Sequence, residues 1–215
     1  MMVGYEQFAL AVRIATVVVP ISVYFLLLGF LNSRRTPQLL TARQDFGILL
    51  GALAPLFVLP LTSHLPGGSW TAIAAIVVVV VVGLSMLAPN GWGWVIYNIS
   101  AADGRRCCRR ALRAVDLPAT ETEKGFSLDD SDGRIELTAF PLLHNVSIRL
   151  HDVPDASAAP LEEALHRTVS HHRAETPPMA AAMILVATAM LVAPLSLLAG
   201  DGAVEIVRLL TDLLN

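Results

Sequence analysis

The sequence predicts a membrane all-α fold of four transmembrane helices, with a small α+β domain (β-α-β-β-β-α) inserted before the last. Three observations predict it. The 215-residue chain is 54% hydrophobic and only 15% charged, with mean hydropathy +0.61, whereas ordinary soluble domains are about a quarter charged. The stretch Trp70–Ala88, valine at every position from Val77 to Val82, contains no charge; as a helix it covers about 28 Å, close to the hydrocarbon thickness of a bilayer. Residues 95–176 then interrupt the apolar pattern with a polar stretch long enough to fold.

The first span is expected over about 8–31, with Arg13 one turn inside and Pro20 within. A signal peptide fits less well. A basic n-region is missing, the apolar run is too long, and Arg34-Arg35 stands where a cleavage site belongs. The second span, about 46–65, carries Pro55 and Pro60, and Gly47 and Gly51 at a spacing that admits a close helix neighbour. A turn-rich link, Thr62 to Ser69, makes spans two and three an antiparallel hairpin. The third span is 70–88. Trp70 at one end, and Trp92, Trp94 and Tyr97 beyond the other, read as interfacial belts. After Pro177-Pro178 comes the fourth span, 177–199. The tail, 200–215, places Val204, Val207, Leu210 and Leu214 at helical spacing, an amphipathic helix too short to span.

Arginine asymmetry sets the orientation. Arg34, Arg35 and Arg43 follow span one, and Arg105, Arg106, Arg109, Arg110 and Arg113 follow span three, while the link between spans two and three has none. The positive-inside rule then puts 95–176 in the cytoplasm and both termini outside. The Arg, Ala, Val and Leu bias, with Lys124 the single lysine, points to a bacterial inner membrane. Adjacent Cys107 and Cys108 fit a reducing compartment better than a disulfide.

Within 95–176, alternation at Val95, Tyr97 and Ile99 predicts a strand. Ser100-Ala-Ala-Asp103 matches a capping box opening a helix with Cys108, Ala111, Leu112 and Val115 on its apolar stripe. Phe126–Leu128 and Ile135–Ala139 read as strands around the turn Asp129–Gly133, with Gly133 in the left-handed position. His144–His151 is a further strand. A last helix runs from Pro160 to about Arg173, with Leu161, Leu165, Thr168 or Val169, and His172 inward. Together these predict an antiparallel sheet with helices on one face.

Candidate chemistry is sparse. Aligning Gly133 with the glycine of a calcium loop puts Leu128 and Ala139 at obligatory acidic positions, so that reading fails. His144, His151, His166, His171 and His172 lack metal-ligand spacing: seven apart on a strand faces opposite sides, and five apart on a helix does not share a face. No metal site, cofactor or catalytic motif is expected. The cluster Arg105-Arg106-Cys107-Cys108-Arg109-Arg110, with Arg113, is the most unusual stretch. Its readings are contact with anionic lipid, topology, or contact with nucleic acid or an acidic protein, the first two favoured. A net charge of −3 gives no case for nucleic acid. The expectation is a non-catalytic accessory component whose 95–176 domain docks a protein partner. The alternative is a transporter or channel subunit that forms a homo-oligomer, through Gly47 and Gly51.

Overall fold

Gln38–Thr41 lies in the polar stretch expected to be a loop between spans, yet it is an edge strand. The computed structural model describes residues 2–62, 70–129, 131–174 and 177–199. Among them the helices are α1 (Met2–Ser33), α2 (Ala42–Thr62), α3 (Trp70–Ser85), α4 (Ala101–Ala114), α5 (Asp155–Ser170) and α6 (Pro178–Ala199). The strands are β1 (Gln38–Thr41), β2 (Gly93–Tyr97), β3 (Ala119–Thr122), β4 (Gly125–Leu128), β5 (Arg134–Phe140) and β6 (Asn145–His151). They form one antiparallel sheet in the order β1-β2-β6-β5-β4-β3.

The chain divides into two compact units, one of Leu27–Ile48 with Leu87–Ala182, the other of Met1–Leu26, Leu49–Met86 and Met183–Asn215. The first unit holds the whole sheet with α4 and α5. Alternate residues of the strands give it a core: Trp94 and Ile96 of β2, Val146 and Ile148 of β6, Ile135 of β5, Phe126 and Leu128 of β4. Against them pack Cys107, Cys108, Ala111 and Leu112 of α4, and Leu161, Ala164, Leu165 and Val169 of α5. Gly104 lets α4 cross β6 closely, since a Cβ there would come within 2.9 Å of Val146 Cγ2. The second unit contributes parts of α1, α2 and α6 with α3, of which Val77, Val78, Val79, Val81 and Val82 are exposed.

A buried asparagine pair explains β1. Asn32 Oδ1 in the last turn of α1 accepts the Asn98 backbone N–H at 3.0 Å, and Asn98 Nδ2 donates to the Arg34 carbonyl at 2.6 Å. The turn out of α1 is thereby fixed beside the end of β2, and Gln38, Leu39, Leu40 and Thr41 pair with Tyr97, Ile96, Val95 and Trp94. The inserted domain is consequently larger than expected. Its strands include β1 from outside 95–176 and β3 from the segment between the arginine helix and Phe126, where no strand was expected.

Four spans are corrected to one candidate. Among the described residues only Val12–Ser33, within α1, is long and apolar enough to cross a membrane by length and composition, and Thr71–Gly83 and Pro178–Val192 are shorter. The valine helix stops at Ser85, where Ser85 Oγ and the Met86 N–H both turn back onto the Val82 carbonyl at 2.7 and 3.1 Å. α2 opens at Ala42 with Arg43 and Asp45 in its first turn, and its residues through Ile48 belong to the sheet unit, as do those of α6 through Ala182. The multi-pass inner-membrane placement, with termini outside and 95–176 cytoplasmic, loses its support with the spans. Arg34, Arg35 and Arg43 flank β1 and so share one folded unit with the α4 arginines, whatever their relation to a membrane.

Local expectations are corrected too. Trp94 and Tyr97 are not interfacial: they are 1% and 3% exposed, because β2 is interior to the sheet. Gly133 does not adopt a left-handed φ; a Cβ there would come within 2.9 Å of Leu128 Cδ1. His144 precedes β6, in a left-handed turn with φ 49°. α5 begins at Asp155, with Pro160 inside rather than opening the helix. The link 63–69 and the C-terminal tail 200–215 lie outside the described residues.

Candidate functional site

The arginine helix α4 starts where the sequence signals it. Ser100 adopts an extended conformation and its Oγ accepts the Asp103 N–H at 3.1 Å. The reciprocal arm differs from a capping box: the Ser100 hydroxyl itself donates to Asp103 Oδ2 at 2.6 Å. That bond, followed by the Arg106 guanidinium, holds the Asp103 carboxyl below the usual range, against an opposing push from burial. His172 Nε2, just beyond α5, approaches the same carboxylate at 3.9 Å.

With Gly104, Cys107, Cys108, Ala111 and Leu112 buried, the arginines fall on the remaining arc. They do not act as one patch. Arg105 donates to Glu121 Oε1 at 3.3 Å and to the Thr122 and Glu123 carbonyls at 3.2 and 2.6 Å. Arg109 pairs with the other oxygen of Glu121, and Arg106 with Asp103. These pairs are part-exposed, so each contributes no more than about 1 kcal/mol; those of Arg105 and Arg109 reach Glu121 and tie α4 to β3, whereas Arg106–Asp103 lies within α4. Arg110 and Arg113 are exposed and make no ion pair among the described residues.

β3 forms one edge of the sheet. The Asp129 N–H bonds the Pro118 carbonyl at 3.0 Å, and antiparallel alternation then puts Thr120 and Thr122 at positions that exchange hydrogen bonds with β4. Ala119 and Glu121 direct their backbone N–H and C=O groups outward. Between this edge and α4 opens a groove of about 460 Å³, lined by Arg109, Leu112, Arg113, Leu117 and Pro118 among others.

The other sequence candidates do not assemble. His151 Nε2 meets Glu136 Oε2 at 3.3 Å, His171 bonds the Arg167 carbonyl at 2.7 Å, and His166 is exposed on α5. Among the described residues no three His, Cys, Asp or Glu side chains are placed to hold a metal ion. Ser127 and His151 are separated by β5, about 9–10 Å at ordinary strand spacing, too far for a serine–histidine pair. Burial raises the Cys107 thiol and pushes Cys108 up to about 12, leaving neither poised as a nucleophile. A Cβ at Gly47 or Gly51 would meet nothing within 4 Å among the described residues. Glu121, which clamps two arginines, escaped sequence reasoning. Its signal was Thr-Glu-Thr alternation ahead of the Glu123-Lys124 turn. No family model, curated protein or solved structure matches this chain.

Proposed function

We propose that the sheet unit is a non-catalytic interaction module that docks an extended, acidic segment of a partner protein as an added strand on β3. The observation that carries this reading is an open backbone edge beside Arg113, which has no carboxylate partner among the described residues. Strand addition draws affinity from main-chain hydrogen bonds and specificity from alternate side chains. In a strand laid along β3, every second side chain falls on the α4 side of the sheet, where Glu121 already meets Arg105 and Arg109. Acidic residues at that period would face Arg109 and Arg113. Pro118 and the turn at Glu123-Lys124 limit the free edge to the length of β3, so the recognised segment is short. The groove and edge favour a protein strand over a lipid surface, which offers no backbone to pair.

The test uses a peptide of alternating Glu and Val titrated into the full chain. Binding is expected to weaken at least about tenfold with Arg110→Glu/Arg113→Glu, and also with Ala119→Pro, which removes an outward N–H without touching the β3–β4 ladder. Binding to anionic vesicles that shares the arginine dependence but ignores Ala119→Pro would overturn the strand reading in favour of lipid.

A further inference from the structure

The sheet face opposite α4 and α5 carries its own constellation. Register aligns Ser127, Arg134 and His151 in one row across β4, β5 and β6, and Gly125, Glu136 and Arg149 in the next. Because the neighbours Phe126 and Ile135 point into the core, both rows face the other way. Gly125 contributes no side chain to its row. A cleft of about 380 Å³ lies there, lined by Thr122, Lys124, Ser127, Arg134, Glu136 and His151 together with parts of Phe126 and Ile135. Lys124 sits in the β3–β4 turn and is held in place through its carbonyl, which accepts the Leu137 N–H at 2.8 Å.

Charge is unbalanced within this cleft. Glu136 stands opposite Arg149 in register but gives its carboxylate to His151 instead. Lys124 and Arg134 have no carboxylate partner among the described residues, although Glu123, Asp129 and Asp132 are close to them in sequence; the Asp129 carboxylate accepts the Thr120 hydroxyl at 2.8 Å. Two cations thus line one cleft whose single acid is already engaged by His151, which leaves positive charge that an anion would offset. A dianion matches the two uncompensated cations better than a carboxylate does. The cleft also exceeds the size of an inorganic oxyanion, leaving room for an organic portion.

We propose that this cleft binds the phosphate group of a phosphate monoester, with Lys124 and Arg134 as charge partners and Ser127 as a hydroxyl donor. Thr122 of β3 lines this cleft, but the cleft lies on the sheet face opposite α4 and none of Arg109, Arg110 and Arg113 lines it, so the two readings stand or fall apart. The test is calorimetric titration of the full chain with inorganic phosphate at constant ionic strength, acetate serving as the control anion. Lys124→Gln and Arg134→Gln are each expected to weaken phosphate at least about fivefold, while Arg110→Glu/Arg113→Glu leaves it unchanged. Glycerol phosphate and a phosphoserine peptide as further probes separate a small-molecule source from a modified protein. All these side chains are exposed, so unaltered circular dichroism is expected of each variant. Phosphate binding no tighter than acetate, or indifferent to both substitutions, overturns the assignment.

Discussion

At Gly125 the backbone leaves no room for a side chain. Its φ is +154°, and a Cβ would fall 1.9 Å from the Ile135 carbonyl oxygen on the neighbouring strand. That obstacle is main chain inside a paired ladder, so it cannot step aside by changing rotamer. Gly125→Ala is therefore expected to destabilise the sheet unit by about 2–4 kcal/mol, read as a lower denaturant midpoint at unchanged m-value. Gly133→Ala is the useful comparison, because its obstacles are side-chain atoms of Leu128 and Ser131 at 2.9 and 3.0 Å before backbone at 3.2 Å. It should cost clearly less. Equal losses at the two positions would mean that the close approach at Gly125 does not set the fold. Sequence could not have ranked these glycines. Asp132-Gly133 carries the familiar turn signal, whereas Lys124-Gly125 owes its constraint to β5, which arrives only through long-range pairing.

At the scale of elements, legibility followed locality. α4 was readable from Ser100, Asp103 and the spacing of its apolar stripe, because cap and periodicity both lie within the helix. β6 was readable too, with Val146 and Ile148 buried. β1 and β3 are four-residue edge strands, and such segments carry too few residues for alternation to stand out. Trp94 and Tyr97 misled for a different reason: an aromatic near an apolar run fits a membrane interface and a sheet interior alike, and only β6 pairing with β2 decides between them. The cap of α4 also carries a pH dependence. The Asp103 pKa is lowered in the folded chain relative to an ordinary value of about 3.9. A depressed carboxylate stabilises fully above the unfolded value, and that contribution disappears as pH falls through the folded one. Asp103→Asn should therefore flatten the acid limb of a stability profile taken from pH 6 down to pH 2 by urea unfolding. Ser100→Ala should cost about 1 kcal/mol at neutral pH and shrink the same limb, since it removes the largest cause of the shift. An acid limb of full height in Asp103→Asn would assign the effect to other carboxylates.

For the whole molecule, the decisive step is that β1 and β2 pair although α2 and α3 lie between them in sequence. Closing so long a loop has an entropic cost that grows slowly with length. The pairing adds ladder hydrogen bonds, packs Leu39 against the core and is held by the Asn32–Asn98 contact. A chain expected to separate membrane helices from an inserted domain instead shares segments between its two units, with α1, α2 and α6 each contributing residues to both. Cutting the domain at residue 95 would therefore discard β1 and the first two residues of β2, Gly93 and Trp94. Leu39→Asp tests the pairing directly. It puts a charge where Leu39 packs, opposite Ile96, and is expected to destabilise by about 1–3 kcal/mol. Hydrogen exchange gives the sharper reading. In an antiparallel sheet, successive residues of β2 direct their amides alternately to β1 and to β6. Releasing β1 should speed exchange at alternate positions within 94–97 while the amides bonded to β6 stay protected. Protection lost uniformly across β2 would show that the substitution had loosened the core as a whole. Protection unchanged at every position would show that β1 is not a working part of the sheet.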